Sequence, residues 1–261
     1  MDRTHIVRFR RDGRPVWGML EDGVVHAAEG DPFTGLRRGS AVGPIEEVGL
    51  LAPADPSKIV AIGLNYLDHI TEDAPDFQQP ENPIIFLKPP SSVIGSGDAI
   101  VLPAGAEQVD TEAELAVVIG RRARHVRAED AYDYILGLTC SNDVSARDYQ
   151  FTDGQWARAK GFDTFTPLGP SIATGVRADS LAIVSRLNGE VKQHSSTDKL
   201  LFGVPALVEF ISRVMTLEPG DVIMTGTPAH PPRMHAGDVV EVEIAEVGTL
   251  HNPVVADQRP A

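Results

Sequence analysis

Three carboxylates spaced two apart open the stretch richest in possible chemistry. Asp110-Thr-Glu112-Ala-Glu114 runs directly into Leu115-Ala-Val-Val-Ile119-Gly120, an acidic head on an aliphatic run. Residues 115–119 read as a buried strand. Side chains alternate faces along a strand, so Glu112 and Glu114 point the same way, and Asp110 joins them if the strand begins early enough. Carboxylates this close repel one another. They stay ionised only with a metal cation or a basic cluster among them. Oxygen donors at this density suit Mg²⁺, Mn²⁺ or Ca²⁺ better than zinc. Asp143 offers a third ligand, because a second apolar strand over 134–140 ends in Ser141-Asn-Asp143. The same residues also suit a plainer role, with Glu112 and Glu114 on a solvated strand edge and Asp143 capping a helix over 144–150.

Other residues have types and positions that suit proton transfer or substrate contact. A core strand over 58–63 runs into Leu64-Asn-Tyr-Leu-Asp-His69-Ile-Thr-Glu72. His69 and Glu72 are three apart, side by side on a helical turn, where the carboxylate raises the basicity of the imidazole and orients it. Residues 73–83 contain three prolines and read as a loop, so the pair predicts a lid that closes on substrate. A simple surface contact between the two side chains is the alternative. Lys88 ends a strand over 83–89. Lys160 lies in a Gly/Pro-punctuated loop over 155–170, either reaching into a site or exposed as most lysines are.

These residues need a frame. Residues 1–52 predict a small N-terminal β domain, a meander turned by Asp12-Gly13 and Asp22-Gly23. Pro53-Ala-Asp-Pro56 reads as a linker. Residues 53–261 then form the larger domain. Its strands are predicted over 100–103, 171–174, 182–187, 190–191, 222–226, 239–244 and 248–252, with an Asn188-Gly189 hairpin. Helices are predicted over 128–133 and 204–215. Strands outnumber helices, which gives a β-rich α+β fold, a rolled mixed sheet or open barrel.

Composition narrows the function. The formal net charge of −14 argues against nucleic acid and anionic membrane surfaces as partners. An anionic substrate remains compatible, because a metal and a few local cations reverse the field inside a cleft. One cysteine, Cys140, allows no disulfide framework. The first residues do not resemble a signal peptide, and no apolar run reaches membrane-spanning length, so a cytoplasmic protein is expected.

Four ordered motifs then coincide: Asp-x-Glu-x-Glu-Leu-Ala-Val-Val-Ile-Gly, Asn-Asp-Val-Ser-Ala-Arg-Asp-x-Gln, Lys-Gly-Phe-Asp-Thr-Phe-x-Pro-Leu-Gly-Pro and Met-Thr-Gly-Thr-Pro. Together, from about residue 59 to 254, they resemble the fumarylacetoacetate hydrolase family. The resemblance implies a usually dimeric, β-rich fold with a metal at the mouth of a rolled sheet, and a small N-terminal unit. It implies Glu112, Glu114 and Asp143 as ligands for Mg²⁺ or Mn²⁺, and His69 with Glu72 as a dyad on a lid helix. It also implies Lys160 at a substrate oxygen, Gln150 positioning substrate or water, and Thr227 holding a substrate carboxylate. Arg147 and Lys88 are further candidates for binding substrate. The chain departs from the family after Gly-Thr-Pro, where Ala229-His-Pro-Pro-Arg-Met-His235 replaces a glycine-rich stretch.

A small 2-oxo acid can place two oxygens on such a cation, and enolate charge is stabilised there. The expectation is a metal-dependent hydrolase that cleaves a C–C bond in an acylpyruvate-like acid. Decarboxylation of an oxaloacetate-like acid, and isomerase or hydratase work on dienoate compounds, are alternatives through the same enolate. Hydrolysis ranks first on the His69–Glu72 pair. A double-sheet oxygenase is disfavoured by the lack of a His-x-His pair near a strand mouth. A non-catalytic binding module would lack use for His69, Glu72 and Lys160.

Overall fold

Apolar and polar residues alternate over short spans between turn residues, and the chain accordingly folds mostly into strands. The computed structural model describes residues 3–73 and 79–258, with the side chains of Glu72 and Asp73 outside that description. The largest sheet runs Gly35–Pro44, Val24–Asp31, Arg14–Glu21, Thr4–Arg11, Thr166–Thr174, Ile135–Asn142, Ala113–Ile119, Val222–Met224, Ile59–Gly63 and Ile84–Lys88. A smaller sheet runs Glu190–Ser196, Ala182–Leu187, Val239–Ile244, Gly248–Ala256 and Ile100–Leu102. Both sheets are mixed: Val222–Met224 lies parallel to Ile59–Gly63, and Gly248–Ala256 parallel to Ile100–Leu102. The β-rich α+β class is the one observed, with large mixed sheets that do not close into a barrel.

The N-terminal meander is hydrogen-bonded into the large sheet, because Thr4–Arg11 pairs with Thr166–Thr174 through His5 opposite Ala173. Asp12-Gly13 and Asp22-Gly23 each put two successive residues at positive φ, the two-residue hairpin geometry that matches strand twist. A fourth strand, Gly35–Pro44, is almost wholly exposed and carries no apolar alternation that would announce it.

Ala113–Ile119 is the central strand, and all seven residues are buried. Leu115, Val117 and Ile119 pack with Ile183, Val242 and Leu250 of the smaller sheet and with Leu207, Val208 and Ile211 of the helix Val204–Val214. Ala116 and Val118 pack on the opposite face with Ile59, Ala61, Ile172 and Met224. A strand covered on both faces reads as a continuous apolar run. Alternation places Glu114 on the face of Ala116, at the end of that second cluster.

Several boundaries differ from those expected. Residues 144–150 are not one helix: Ser145–Ala146 pairs with Val109–Asp110, and the helix starts at Arg147 and runs to Thr152. The Val109–Asp110 bridge also separates Asp110 from the main strand, which begins at Ala113. The loop read over 155–170 holds a helical turn, Ala157–Lys160, and the start of a strand, Thr166–Thr174. Its two prolines hid that strand, yet Pro167 aligns only with the short parallel strand Val93–Ile94, where a full ladder is not needed. Residues 74–78 of the expected lid loop lie outside the described residues. Among the described residues no helix is long and apolar enough to cross a membrane.

Cys140 sits in the middle of the sheet, fully buried, and burial pushes its thiol up to about 12. The native protein is therefore expected to be inert to a thiol reagent at pH 8, with one equivalent reacting in denaturant. Stoichiometric labelling of the native state would show that this strand opens.

Candidate metal and substrate site

Strand register brings the three acids together. Ala113–Ile119 and Ile135–Asn142 are antiparallel, with Ala113 opposite Asn142 and Glu114 opposite Ser141. One step further along the same register sets Glu112 against Asp143, whose N–H donates to the Glu112 carbonyl at 2.9 Å. Asn142 reinforces the clamp, its Oδ1 accepting the Glu112 N–H at 2.9 Å. Glu112, Glu114 and Asp143 are each at most 4% exposed, and a carboxylate oxygen from each lies within 4.8 Å of the others. The sequence expectation of convergence is met in geometry.

Such a cluster is unstable without positive charge, and three basic side chains supply it. Lys160 Nζ donates to Glu112 Oε2 at 2.8 Å and to Asp143 Oδ2 at 2.6 Å. Lys88 donates to the other Asp143 oxygen. Arg147 bridges Glu112 Oε1 at 2.6 Å and Asp110 Oδ2 at 2.7 Å, and also donates to Gln150 Oε1 at 2.7 Å. Burial alone would raise the pKa of Glu112, but Lys160 and Arg147 outweigh it and hold this carboxyl well below the ordinary range. Burial would lower Lys160, but Asp143 and Glu112 keep it above its ordinary value, so it stays an ammonium. Burial lowers Lys88, with Asp143 opposing.

Glu114 is treated differently. Burial, and then the charges of Asp143 and Glu112, push its carboxyl well above the ordinary range, while the Gly226 N–H donating to Oε2 at 2.8 Å opposes. No lysine or arginine is bonded to it among the described contacts. A hard divalent cation fits this donor set, because three clustered carboxylate oxygens include one that lacks a counter-charge of its own. Gly226 must be glycine here: its φ is +99°, and a Cβ would stand 2.8 Å from the Cβ of Asn65. Asn65 in turn accepts the Phe202 N–H and donates to the carbonyls of Phe202 and Thr225. That network ties the entry of the His69 helix, Leu67–Asp73, to the Thr225-Gly-Thr-Pro turn.

A cavity of about 520 Å³ opens over the acids. His69, Glu112, Glu114, Asp143, Arg147, Gln150, Lys160 and Thr227 all line it. Lys88 does not. It is fully buried and spent on Asp143, so it braces that carboxylate from behind and does not face the cavity. The Glu72 side chain lies outside the described residues, so the His69–Glu72 pairing has no geometry. Lys160, far from an exposed loop lysine, is 3% exposed. Of the two loop histidines, His230 lines the cavity, whereas the imidazole of His235 sits 3.7 Å from Asp238.

Sequence reasoning missed two groups. One is Gln193, buried beneath Thr227, which lay just past where the strand was expected to end. The other is an aromatic wall of Phe86 and Trp156, with Phe151 at its rim and 81% exposed. Phe86 and Trp156 meet edge to face, with centroids 5.2 Å apart, and Lys160 Nζ lies 5.4 Å from the Phe86 centroid. Trp156 rests on bare backbone: a Cβ on Gly63 would come within 2.5 Å of its ring. Gly63→Ala is therefore expected to push Trp156 off the wall and cost about 1–3 kcal/mol. A shift in Trp156 fluorescence on a Trp17→Phe background, with a lowered Tm, checks this; an unchanged spectrum and Tm would contradict it.

Comparison with known proteins identifies the family of the chain. A family model described as Fumarylacetoacetate (FAA) hydrolase C-terminal matches residues 58–255, and one described as Rv2993c-like, N-terminal matches residues 4–53. The oxaloacetate tautomerase fahd2, mitochondrial, of Xenopus laevis is 45% identical over 221 residues, covering 80% of this chain and 69% of that protein. The 2-hydroxyhepta-2,4-diene-1,7-dioate isomerase from Mycobacterium marinum superposes with a TM-score of 0.90 at 42% identity, covering 98% of this chain and all of that one. The maleylpyruvate hydrolase from a Sphingobium species, crystallised with manganese(II) and pyruvate, superposes with a TM-score of 0.81 at 29% identity. It covers 97% of this chain and 100% of that one. With a family model spanning most of its length and a site built from that family's motifs, this chain belongs to the fumarylacetoacetate hydrolase family.

Proposed function

We propose that the chain is a divalent-metal-dependent enzyme that converts a small 2-oxo acid through its enol, as a tautomerase or isomerase, with Mg²⁺ or Mn²⁺ held by Glu112, Glu114 and Asp143. The observation that carries this reading is the buried triad of carboxylates, within 4.8 Å of one another at the floor of a cavity. When bound, such a cation supplies Lewis acidity to the 2-oxo group.

The chain's own side chains account for the rest. Lys160, held as an ammonium, faces the cavity beside two of the acids and stabilises negative charge on a substrate oxygen. Arg147 keeps Glu112 ionised and orients Gln150 at the cavity wall. Thr227 offers a hydroxyl to the substrate carboxylate at the same end. Imidazole exchanges protons readily near neutral pH, and His69 lines the cavity, so it moves a proton between the carbon next to the carbonyl and the enol oxygen in a tautomerisation, or from that carbon to a remote carbon of a conjugated tail in an isomerisation. The remote end of the substrate lies against Phe86, Trp156 and Phe151, which favours a flat, unsaturated tail.

Tautomerisation or isomerisation is placed ahead of hydrolysis for two reasons. The named tautomerase and isomerase are 45% and 42% identical to this chain, against 29% for the maleylpyruvate hydrolase. The pairing that ranked hydrolysis first depends on the Glu72 side chain, which lies outside the described residues. Hydrolysis stays as a second reading because His69 faces the same cavity, where it can activate water, and because the maleylpyruvate hydrolase shares the fold.

The test uses protein stripped with a chelator and reloaded with Mg²⁺ or Mn²⁺. Decay of enol absorbance from oxaloacetate is followed alongside acid release from an acylpyruvate and carbon dioxide release. The expected outcome is metal-dependent enol decay without either release. Acid release at a comparable rate would install hydrolysis instead, and activity indifferent to metal would overturn both readings. Glu114→Gln should lower Mn²⁺ affinity and turnover by roughly a hundred-fold while Tm holds; retained Mn²⁺ binding in this variant removes Glu114 from the ligand set.

A further inference from the structure

Gln193 is a buried polar side chain whose hydrogen bonds join two elements of the site. It projects from the strand Glu190–Ser196 of the smaller sheet and is 2% exposed. Its nitrogen donates to Thr227 Oγ1 at 2.9 Å and to the Pro228 carbonyl at 2.8 Å, with a longer approach of 3.4 Å to the Ala229 carbonyl. Its oxygen accepts the Ala113 N–H at 3.1 Å. These partners fix which end of the amide is which, since a backbone carbonyl only accepts and a backbone N–H only donates. The nitrogen must face the 227–229 turn.

That assignment constrains Thr227. A hydroxyl has one proton and two lone pairs, and Gln193 occupies a lone pair. The hydroxyl proton is thereby turned away from Gln193, and Thr227 lines the cavity. Oriented in this way, Thr227 donates to an anionic oxygen. Ala113, the other partner of the carboxamide, lies between Glu112 and Glu114. One side chain therefore ties the hydroxyl donor to the strand that carries two of the proposed metal ligands.

We propose that Gln193 is a positioning residue for substrate recognition: it sets the Thr227 hydroxyl as a donor to the substrate's carboxylate, at a fixed distance from the acid triad. This rests on the 2-oxo acid reading above. No contact of Gln193 with substrate is involved, and its effect passes through Thr227.

The probe is oxalate, a planar dianion with the paired oxygens of a 2-oxo acid, titrated calorimetrically into full-length protein at saturating Mn²⁺. Gln193→Met keeps the length of the side chain and deletes its hydrogen bonds. The expected result is a Kd raised roughly ten- to hundred-fold, with Thr227→Val giving a similar loss. The double variant should bind no more weakly than Thr227→Val alone, because the contribution of Gln193 is delivered by the hydroxyl that Val lacks. Additive losses, or a Gln193→Met Kd equal to wild type, would overturn the proposal. If Gln193→Met yields no folded protein, Thr227→Ser against Thr227→Val decides: Ser should retain wild-type affinity, and equal loss in both excludes a hydroxyl donor. A wild-type protein that binds Mn²⁺ but no oxalate sinks the 2-oxo acid reading and this inference together, whereas wild-type binding with additive variants sinks this inference alone.

Discussion

The rest of the structure depends on the balance of charge at the floor of the cavity. Removing a carboxylate from water costs several kcal/mol per ion unless an opposite charge replaces the lost solvation. Four carboxylates, Asp110, Glu112, Glu114 and Asp143, are buried there, against three cations, Lys88, Arg147 and Lys160. With all four ionised one negative charge is left over, and the site resists it at Glu114. That acid has no lysine or arginine hydrogen-bonded to it among the described contacts, and burial and its acidic neighbours push its carboxyl well above the ordinary range. A divalent ion would turn the small surplus negative to positive. That inversion reconciles a chain of net charge −14 with the anionic substrate proposed above, since the local field in a cleft outweighs the distant surface charge.

Holding that balance requires a rigid frame. The central strand Ala113–Ile119 is covered on both faces, so its register cannot slip without moving its apolar set out of two cores at once. The register in turn places Glu112 against Asp143 and Glu114 two residues along on the same face. Around this fixed floor, the strand residue Phe86 forms one part of the cavity wall, and helices and turns supply much of the rest: the helix of His69, the segment carrying Phe151 and Trp156, and the turn through Thr227 and His230. A fixed charged floor beneath a variable wall is how one scaffold accommodates related chemistries. The tautomerase, isomerase and hydrolase among the relatives of this chain are consistent with that division.

The wall of this chain has its own character. Phe86 contacts both Trp156 and the ammonium of Lys160, so the apolar and ionic halves of the cavity share one ring. Gly63 makes room for Trp156, and Gly226 makes room for the approach of Asn65. Each glycine ends or follows a core strand and allows a side chain from another element to close over it. The Pro-rich stretch after Thr227 is anchored from below by Gln193 through backbone carbonyls, which need no particular side chain at 228 or 229. That explains how a sequence departing from the usual glycine-rich run still holds its turn beside the site.

The sequence by itself determined the chemistry of the floor. Acids at alternate positions before an apolar run must share a face, whatever the fold around them, and a second strand ending in Asp143 is a local pattern. The hairpins at Asp12-Gly13 and Asp22-Gly23, the helix at 204–214 and the β-rich class were legible for the same reason, since each follows from residues near one another in the chain. Only the tertiary structure decided which cations answer which acids. Lys88, Arg147 and Lys160 come from three separate elements, and no spacing in the chain says that Lys88 lies under Asp143 while Lys160 faces the cavity. Gln193 was hidden because its strand inverts the usual pattern, with Val191 51% exposed and Gln193 buried. The physical reason is common to these cases: a buried polar group is satisfied by whatever partner the fold brings within about 3 Å, and that partner's distance along the chain leaves no trace in local periodicity.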